Sequence, residues 1–145
     1  MTTTGKQIFT TLESDGTLTV EVATSEFPEP KGNQVLVKME AAPINPSDLA
    51  LLFGQADLEN ADYSEGKIVA KMPEPFNSGS KGRHGQRMPV GNEGAGEVIA
   101  TGDSDAAKAL MGKRVSCVPG TAYAEYAIAD ANMCLPLGDI SSKDG

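Results

Sequence analysis

Histidine, cysteine and long apolar runs are what this chain of 145 residues has least of. There is one histidine, His84, and there are two cysteines, Cys117 and Cys134. A zinc site needs three or four converging soft or imidazole ligands. His84 stands far in sequence from both cysteines, and their spacing follows no zinc pattern, so no metal is expected. No Gly-x-Ser-x-Gly turn accompanies the histidine, which removes the usual frame for a serine nucleophile. Each cysteine sits in a short apolar run, Val115-Ser116-Cys117-Val118 and Met133-Cys134-Leu135, and both read as buried thiols. No stretch comes near the roughly 18 apolar residues of a membrane helix. The opening residues Met1-Thr2-Thr3-Thr4-Gly5-Lys6 lack the basic-then-apolar order of a signal peptide, so a cytoplasmic address without membrane partners is expected. Basic residues are short too, 12 against 20 acidic for a net charge of −8, which repels phosphate backbones and speaks against a nucleic-acid partner. The basic cluster Lys81-Gly82-Arg83-His84-Gly85-Gln86-Arg87 lies among glycines and serines and reads as a solvated loop.

Glycine (16) and proline (9) are plentiful, which points to strands and turns in one domain. Ile8–Thr11 and Leu18–Val22 flank Asp15-Gly16, a strong hairpin signal. Val35–Met39 is almost continuously apolar and fits a strand covered on both faces. Pro46-Ser47-Asp48 opens a short helix that Gly54 closes. From 55 to 87 periodicity is lost. Lys67–Met72 could be a strand, and the remainder reads as a long, mobile loop insertion. Strands are expected again at Gly94–Ala100, Arg114–Val118, Ala122–Ala129 and Met133–Leu135, with a short helix over Asp105–Met111. Ser141-Ser142-Lys143-Asp144 has the form of a helix start, so 139–145 is expected to begin a linker helix.

The cluster Gly91-Asn92-Glu93-Gly94-Ala95-Gly96 is not a dinucleotide loop. Such a loop needs a third glycine and must open a helix, whereas Gly94-x-Gly96 leads into Glu97-Val98-Ile99 and a strand. Taken with Ile44-Asn45-Pro46-Ser47-Asp48, Gly112-Lys113-Arg114-Val115 and Ala122-Tyr123-Ala124-Glu125-Tyr126, however, the cluster resembles the medium-chain dehydrogenase/reductase superfamily. The order and distances agree from the first hairpin to Pro136. Zinc-dependent members of that superfamily carry a cysteine where this chain has Asn45, and Gly-His-Glu where it has Gly91-Asn92-Glu93. The chain is thus similar to the zinc-free, quinone-oxidoreductase-like branch.

That resemblance implies a mainly β fold with short helices, a GroES-like partly open barrel over 1–138, followed by a linker helix toward a Rossmann domain outside this sequence. It implies NADPH as cofactor, no zinc, and hydride transfer to a quinone or activated double bond in a small-molecule substrate. Asn45, Ser47 and Asp48 are the candidate catalytic residues, with Asn45 also beside the cofactor. An amide both donates and accepts without adding charge. Asn45 is equally suited to a turn that bonds its own backbone ahead of Pro46. Reductases of thioesters in this branch place a proton-donating tyrosine soon after the glycine matching Gly54. Here that stretch is Gln55-Ala56-Asp57, and Tyr63 substitutes only if its loop folds inward. Tyr123 and Tyr126 read as packed barrel residues, and Glu93 as a residue holding the start of its strand. An apolar face toward the absent domain favours a homodimer. The competing reading is a free-standing GroES-like module that binds a partner or oligomerises without catalysis.

Overall fold

Strands, with side chains alternating between their two faces, make up most of the regular structure of this chain. A computed structural model describes residues 2–145. Two sheets contain ten strands among the described residues, and the pairings resolved between them are antiparallel. The first sheet has the order β4-β5-β2-β1-β6, from β1 (Thr3–Leu12), β2 (Thr17–Phe27), β4 (Asp57–Ser64), β5 (Lys67–Lys71) and β6 (Arg87–Pro89). The second has the order β10-β8-β7-β3-β9, from β3 (Gln34–Ala41), β7 (Gly94–Thr101), β8 (Arg114–Cys117), β9 (Tyr126–Asp130) and β10 (Cys134–Pro136). Three short helices, α1 (Pro46–Leu52), α2 (Phe76–Gly79) and α3 (Asp105–Lys108), complete a mainly β chain.

The chain divides into two compact units. The first comprises 1–7, 24–43 and 91–145, and the second 8–23 and 44–90. In the first unit, β3 sits between β7 and β9 and is buried on both faces, with Val35, Leu36 and Val37 at 3% exposure or less. Val35 and Val37 join Val98, Val115, Cys117, Ala129 and the α3-side residues Ala107 and Leu110 in one cluster. Each such valine or leucine removed from water contributes roughly 1.5–3 kcal/mol. Ser104 caps α3 by accepting from the Ala107 N–H at 3.1 Å, and its own hydroxyl donates to Asn33. In the second unit Leu12, Leu18, Val20, Leu52, Ala70 and Met72 are buried.

Apart from the strand at Lys67–Lys71, which matches the one read at Lys67–Met72, the segment 55–87 departs from the expected loop. It forms the β4–β5 hairpin, turning at Glu65-Gly66, and then α2, a tight 3-10 turn at Lys81–Arg83 and β6. Gly66 takes the positive φ (71°) that so short a turn requires. Periodicity hides this strand because β4, Asp-Leu-Glu-Asn-Ala-Asp-Tyr-Ser, is an edge strand exposed along most of its length. Its acidic side chains also block further pairing at that edge. Elsewhere differences are of extent. Ala122–Glu125 runs outside β9, and α3 ends four residues after it starts before hydrogen-bonded turns carry the chain to Lys113. At 139–145 there are hydrogen-bonded turns: Ser141 Oγ donates to Asp144 Oδ2 at 2.5 Å, and the Ser141 carbonyl accepts from Asp144 and Gly145 N–H.

Candidate functional site

Asn45, Ser47 and Asp48 all fall on the start of α1, in the second unit. Asn45 is the N-cap, with extended backbone (φ −89°, ψ 155°), and Pro46 follows with its torsion preset for a helix. The Asn45 carbonyl accepts from Asp48 N–H at 3.0 Å and Leu49 N–H at 3.2 Å. Asp48 is 2% exposed, and its Oδ2 accepts from the Asn45 backbone N–H at 3.1 Å. The carboxylate thus reaches back one turn and fixes the residue before it, as the third residue of a capping box does. Ser47 is exposed and Asn45 half-buried. The three candidates therefore separate by environment: two polar groups with access to solvent, and one enclosed anchor.

The other end of α1 is held as firmly. Thr10, fully buried on β1, donates its hydroxyl to the Leu52 carbonyl at 3.0 Å. Arg83 donates from Nη1 to the Leu51 carbonyl at 2.9 Å and from Nη2 to Thr10 Oγ1 at 3.2 Å. A cation on the last carbonyls of a helix satisfies acceptors that the helix itself leaves open. Burial lowers the proton affinity of this guanidinium. Arg83 is therefore not part of a solvated basic loop, as the sequence suggested. No local pattern signals it, because the contacts join residues 32 and 73 positions apart.

His84 is also structural. Its Nε2 lies 3.1 Å from the Asn77 carbonyl and 3.0 Å from Asn77 Oδ1. Both are acceptors, so Nε2 carries the proton. Asn77 in turn donates through Nδ2 to the Ser14 carbonyl at 2.9 Å, tying α2 to the first hairpin. Tyr63 does not fold inward. It is 63% exposed on β4, and its hydroxyl donates to the Leu58 carbonyl of the same strand at 2.7 Å.

In the first unit the glycine cluster serves backbone packing. Gly91 (φ 102°) lies so close to the 122–123 segment that an added Cβ would meet Tyr123 N at 2.6 Å and Ala122 N at 2.9 Å. Gly96 is pressed against the Lys38 carbonyl of β3, where the β3–β7 register shifts. These glycines are filled by the chain's own backbone and leave no cradle for phosphates. The Tyr123 hydroxyl donates to the Pro43 carbonyl at 2.8 Å, fixing the backbone two residues ahead of Asn45 in sequence. The Tyr126 ring packs on Phe27, with centroids 5.6 Å apart. A cavity of ≈ 650 Å³ in this unit is lined among others by Pro43, Glu93, Ser116, Cys117, Met133 and Cys134. Glu93 is exposed at its edge.

Both thiols are free. Cys117 is buried as expected, and burial, with Cys134 beside it, pushes its pKa up to about 12. Cys134, expected buried, is only partly so. It lies on edge strand β10, and burial, with the Asp130 charge, raises it to about 11. Among the described residues no three His, Cys, Asp or Glu side chains converge as a metal site, and no helix is long and apolar enough to cross a membrane.

Comparison with known proteins follows the same lines. The model of the alcohol dehydrogenase GroES-like domain matches residues 31–139. Prostaglandin reductase-3 of Mus musculus is 26% identical over 116 residues, which cover 80% of this chain and 24% of that protein. A solved structure from Mesorhizobium loti, assigned as an NADPH:quinone reductase, superposes with a TM-score of 0.63 at 28% identity, covering 97% of this chain and 39% of its own. Another so assigned, from Bacillus thuringiensis, gives 0.64 at 25% identity, covering 97% and 36%. The chain spans about a quarter of the length of the curated relative and less than two-fifths of these structures. From its two antiparallel sheets, its short helices and a match over three-quarters of its length, the chain belongs to the alcohol dehydrogenase GroES-like domain family of the medium-chain dehydrogenases/reductases.

Proposed function

We propose that this chain is the substrate-side domain of a zinc-independent, NADPH-dependent reductase of quinones or activated double bonds. The observation that carries this reading is the start of α1 in a chain of this family. The enclosed Asp48 carboxylate holds the backbone N–H of Asn45, a half-buried residue with an amide side chain, and an exposed hydroxyl, Ser47, lies two residues on. Amide and hydroxyl are weak zinc ligands but good hydrogen-bond partners, so they suit a site where polar groups rather than a metal meet the charge that develops on a substrate oxygen. In this reading Asn45 and Ser47 face substrate and the nicotinamide end of the cofactor. Asp48 acts through Asn45 as a positioning residue. NADPH, when bound, supplies the hydride. Its phosphates find no loop here, because the glycine cluster is closed by backbone at Gly91 and Gly96. In this reading a nucleotide-binding unit accompanies the domain, which the greater length of its relatives supports.

The apolar residues Val118, Met133 and Leu135 are exposed on neighbouring strands β8 and β10 and their margins, which supports self-association as a homodimer. Calorimetric titration with NADPH tests the placement of the cofactor. The chain alone should be silent, and the domain joined to a nucleotide-binding unit should bind. Tight binding by the chain alone would overturn the placement. Silence from both would favour a GroES-like module without catalysis.

A further inference from the structure

Cys117 and Cys134 are direct partners across β8 and β10. The ladder around them fixes which kind of pair they form. Val118 N–H donates to the Met133 carbonyl at 3.2 Å, and Leu137 N–H to the Arg114 carbonyl at 3.0 Å. Hydrogen-bonded and non-hydrogen-bonded pairs alternate along an antiparallel ladder. With 118/133 and 114/137 bonded, 117/134 is a non-hydrogen-bonded pair, the closer of the two kinds. Its α-carbons are then about 4.5 Å apart with both side chains on one face. A disulfide spans α-carbons roughly 4.4–6.8 Å apart, so the backbone already stands within range. Both residues line the ≈ 650 Å³ cavity, which admits a small reagent to their shared face. No third cysteine exists to compete.

We propose that Cys117 and Cys134 form a reversible cross-strand disulfide, a modification site whose co-reactant is a low-molecular-weight disulfide. Cys134 reacts first. It lies on the edge strand and is the more exposed of the two. Its sulfur attacks the reagent, whose S–S bond breaks. One reagent thiolate leaves and a mixed disulfide forms on Cys134. The Cys117 sulfur then attacks the Cys134 sulfur and expels the second reagent thiolate. Two protein thiols are oxidised, one reagent disulfide is reduced to two thiols, and the two protons pass to them. The product ties β10 covalently to β8 and closes the loop that carries Tyr123 and Tyr126. Burial disfavours both thiolates, so raising the pH speeds the exchange.

Oxidised glutathione is the probe. The reduced chain is incubated with it at pH 8.5, quenched with acid, and read by intact mass, by thiol count after denaturation and by peptide mapping. Both thiols should disappear together, with a mass lower by about two daltons and a 117–134 linkage. The Cys117→Ser chain should stop at a glutathione adduct on Cys134, and the Cys134→Ser chain should keep its thiol. The wild-type mass alone decides the matter if either variant fails to fold. A lasting glutathione adduct on the wild type, a disulfide between two chains, or two thiols that survive saturating oxidant would each overturn the proposal.

Discussion

Replacing Arg83 by methionine keeps the apolar stem and removes the guanidinium that closes the C-terminal end of α1. Two hydrogen bonds are lost, to the Leu51 carbonyl at 2.9 Å and to Thr10 Oγ1 at 3.2 Å. Bonds from a charged donor are worth about 1.5–3 kcal/mol each, so the gross loss is about 3–4 kcal/mol, with the longer bond at the weak end. Against this stands a relief. The guanidinium is partly desolvated, and its Nε is buried without a partner among the described residues. Removing that group returns about 1–2 kcal/mol. Thr10 keeps its own bond to the Leu52 carbonyl, so the helix is loosened rather than released. The net cost is about 2 kcal/mol, which lowers the melting temperature of a chain this long by about 6 °C. Thermal unfolding followed by circular dichroism measures it. Lysine at this position offers one compact ammonium instead of a fork and should recover about half of the loss. A methionine variant within about 1 °C of wild type would refute the anchoring role, and so would a lysine variant no better than methionine.

Asp48→Ala removes the acceptor of the Asn45 N–H and should cost about 1–2 kcal/mol in urea unfolding. In the domain joined to a nucleotide-binding unit, it should lower kcat more than it raises KM. An unchanged kcat would show that the cap has no catalytic consequence. Gly91→Ala introduces a Cβ at positive φ against Tyr123 N and should unfold the chain or lower its melting temperature by at least as much as Arg83→Met. A near-neutral Gly91→Ala would contradict the close approach. Stability should also fall with alkaline pH. The folded thiols hold their protons up to about 11 and about 12. Unfolded cysteine loses its proton near ~8.5, so the unfolded state binds fewer protons above that pH. The thiol contribution is intact below pH ~8.5 and is lost as pH rises toward the folded values. Urea midpoints between pH 7.5 and 10.5 should decline more steeply for wild type than for the Cys117→Ala, Cys134→Ala double variant. Parallel declines would sink this reading. Leu135→Glu, on the exposed face of β10, should dissolve any dimer seen by sedimentation without lowering stability.

The legible parts of the fold were those where one local signal sufficed. Asp15-Gly16 marked the first hairpin, the apolar run at Val35–Val37 marked a strand covered on both faces, and Pro46 with Gly54 bracketed α1. The strand that follows the glycines at 91–96 was legible as well. Of the 57–71 hairpin, β5 was legible at Lys67–Met72, whereas β4 was not, because an exposed edge strand needs no apolar alternation and β4 has almost none. Arg83, Thr10 and Asn77 gave no signal, since each acts through a contact distant in sequence. Facing of the two cysteines was hidden for a related reason: strand register depends on the 118–133 connection and not on the apolar runs themselves. Around α1 the residue types were visible, but not the division of labour between a buried Asp48 and an exposed Ser47.

The proposed reductase site rests on Asn45 and Ser47 and needs no zinc. NADPH oxidation with a quinone acceptor is measured in the domain joined to a nucleotide-binding unit, before and after exhaustive dialysis against a chelator. The rate should be unchanged by dialysis and should fall at least about tenfold in Asn45→Ala. Activity lost on dialysis and restored by zinc, or an Asn45→Ala enzyme as fast as wild type, would contradict it.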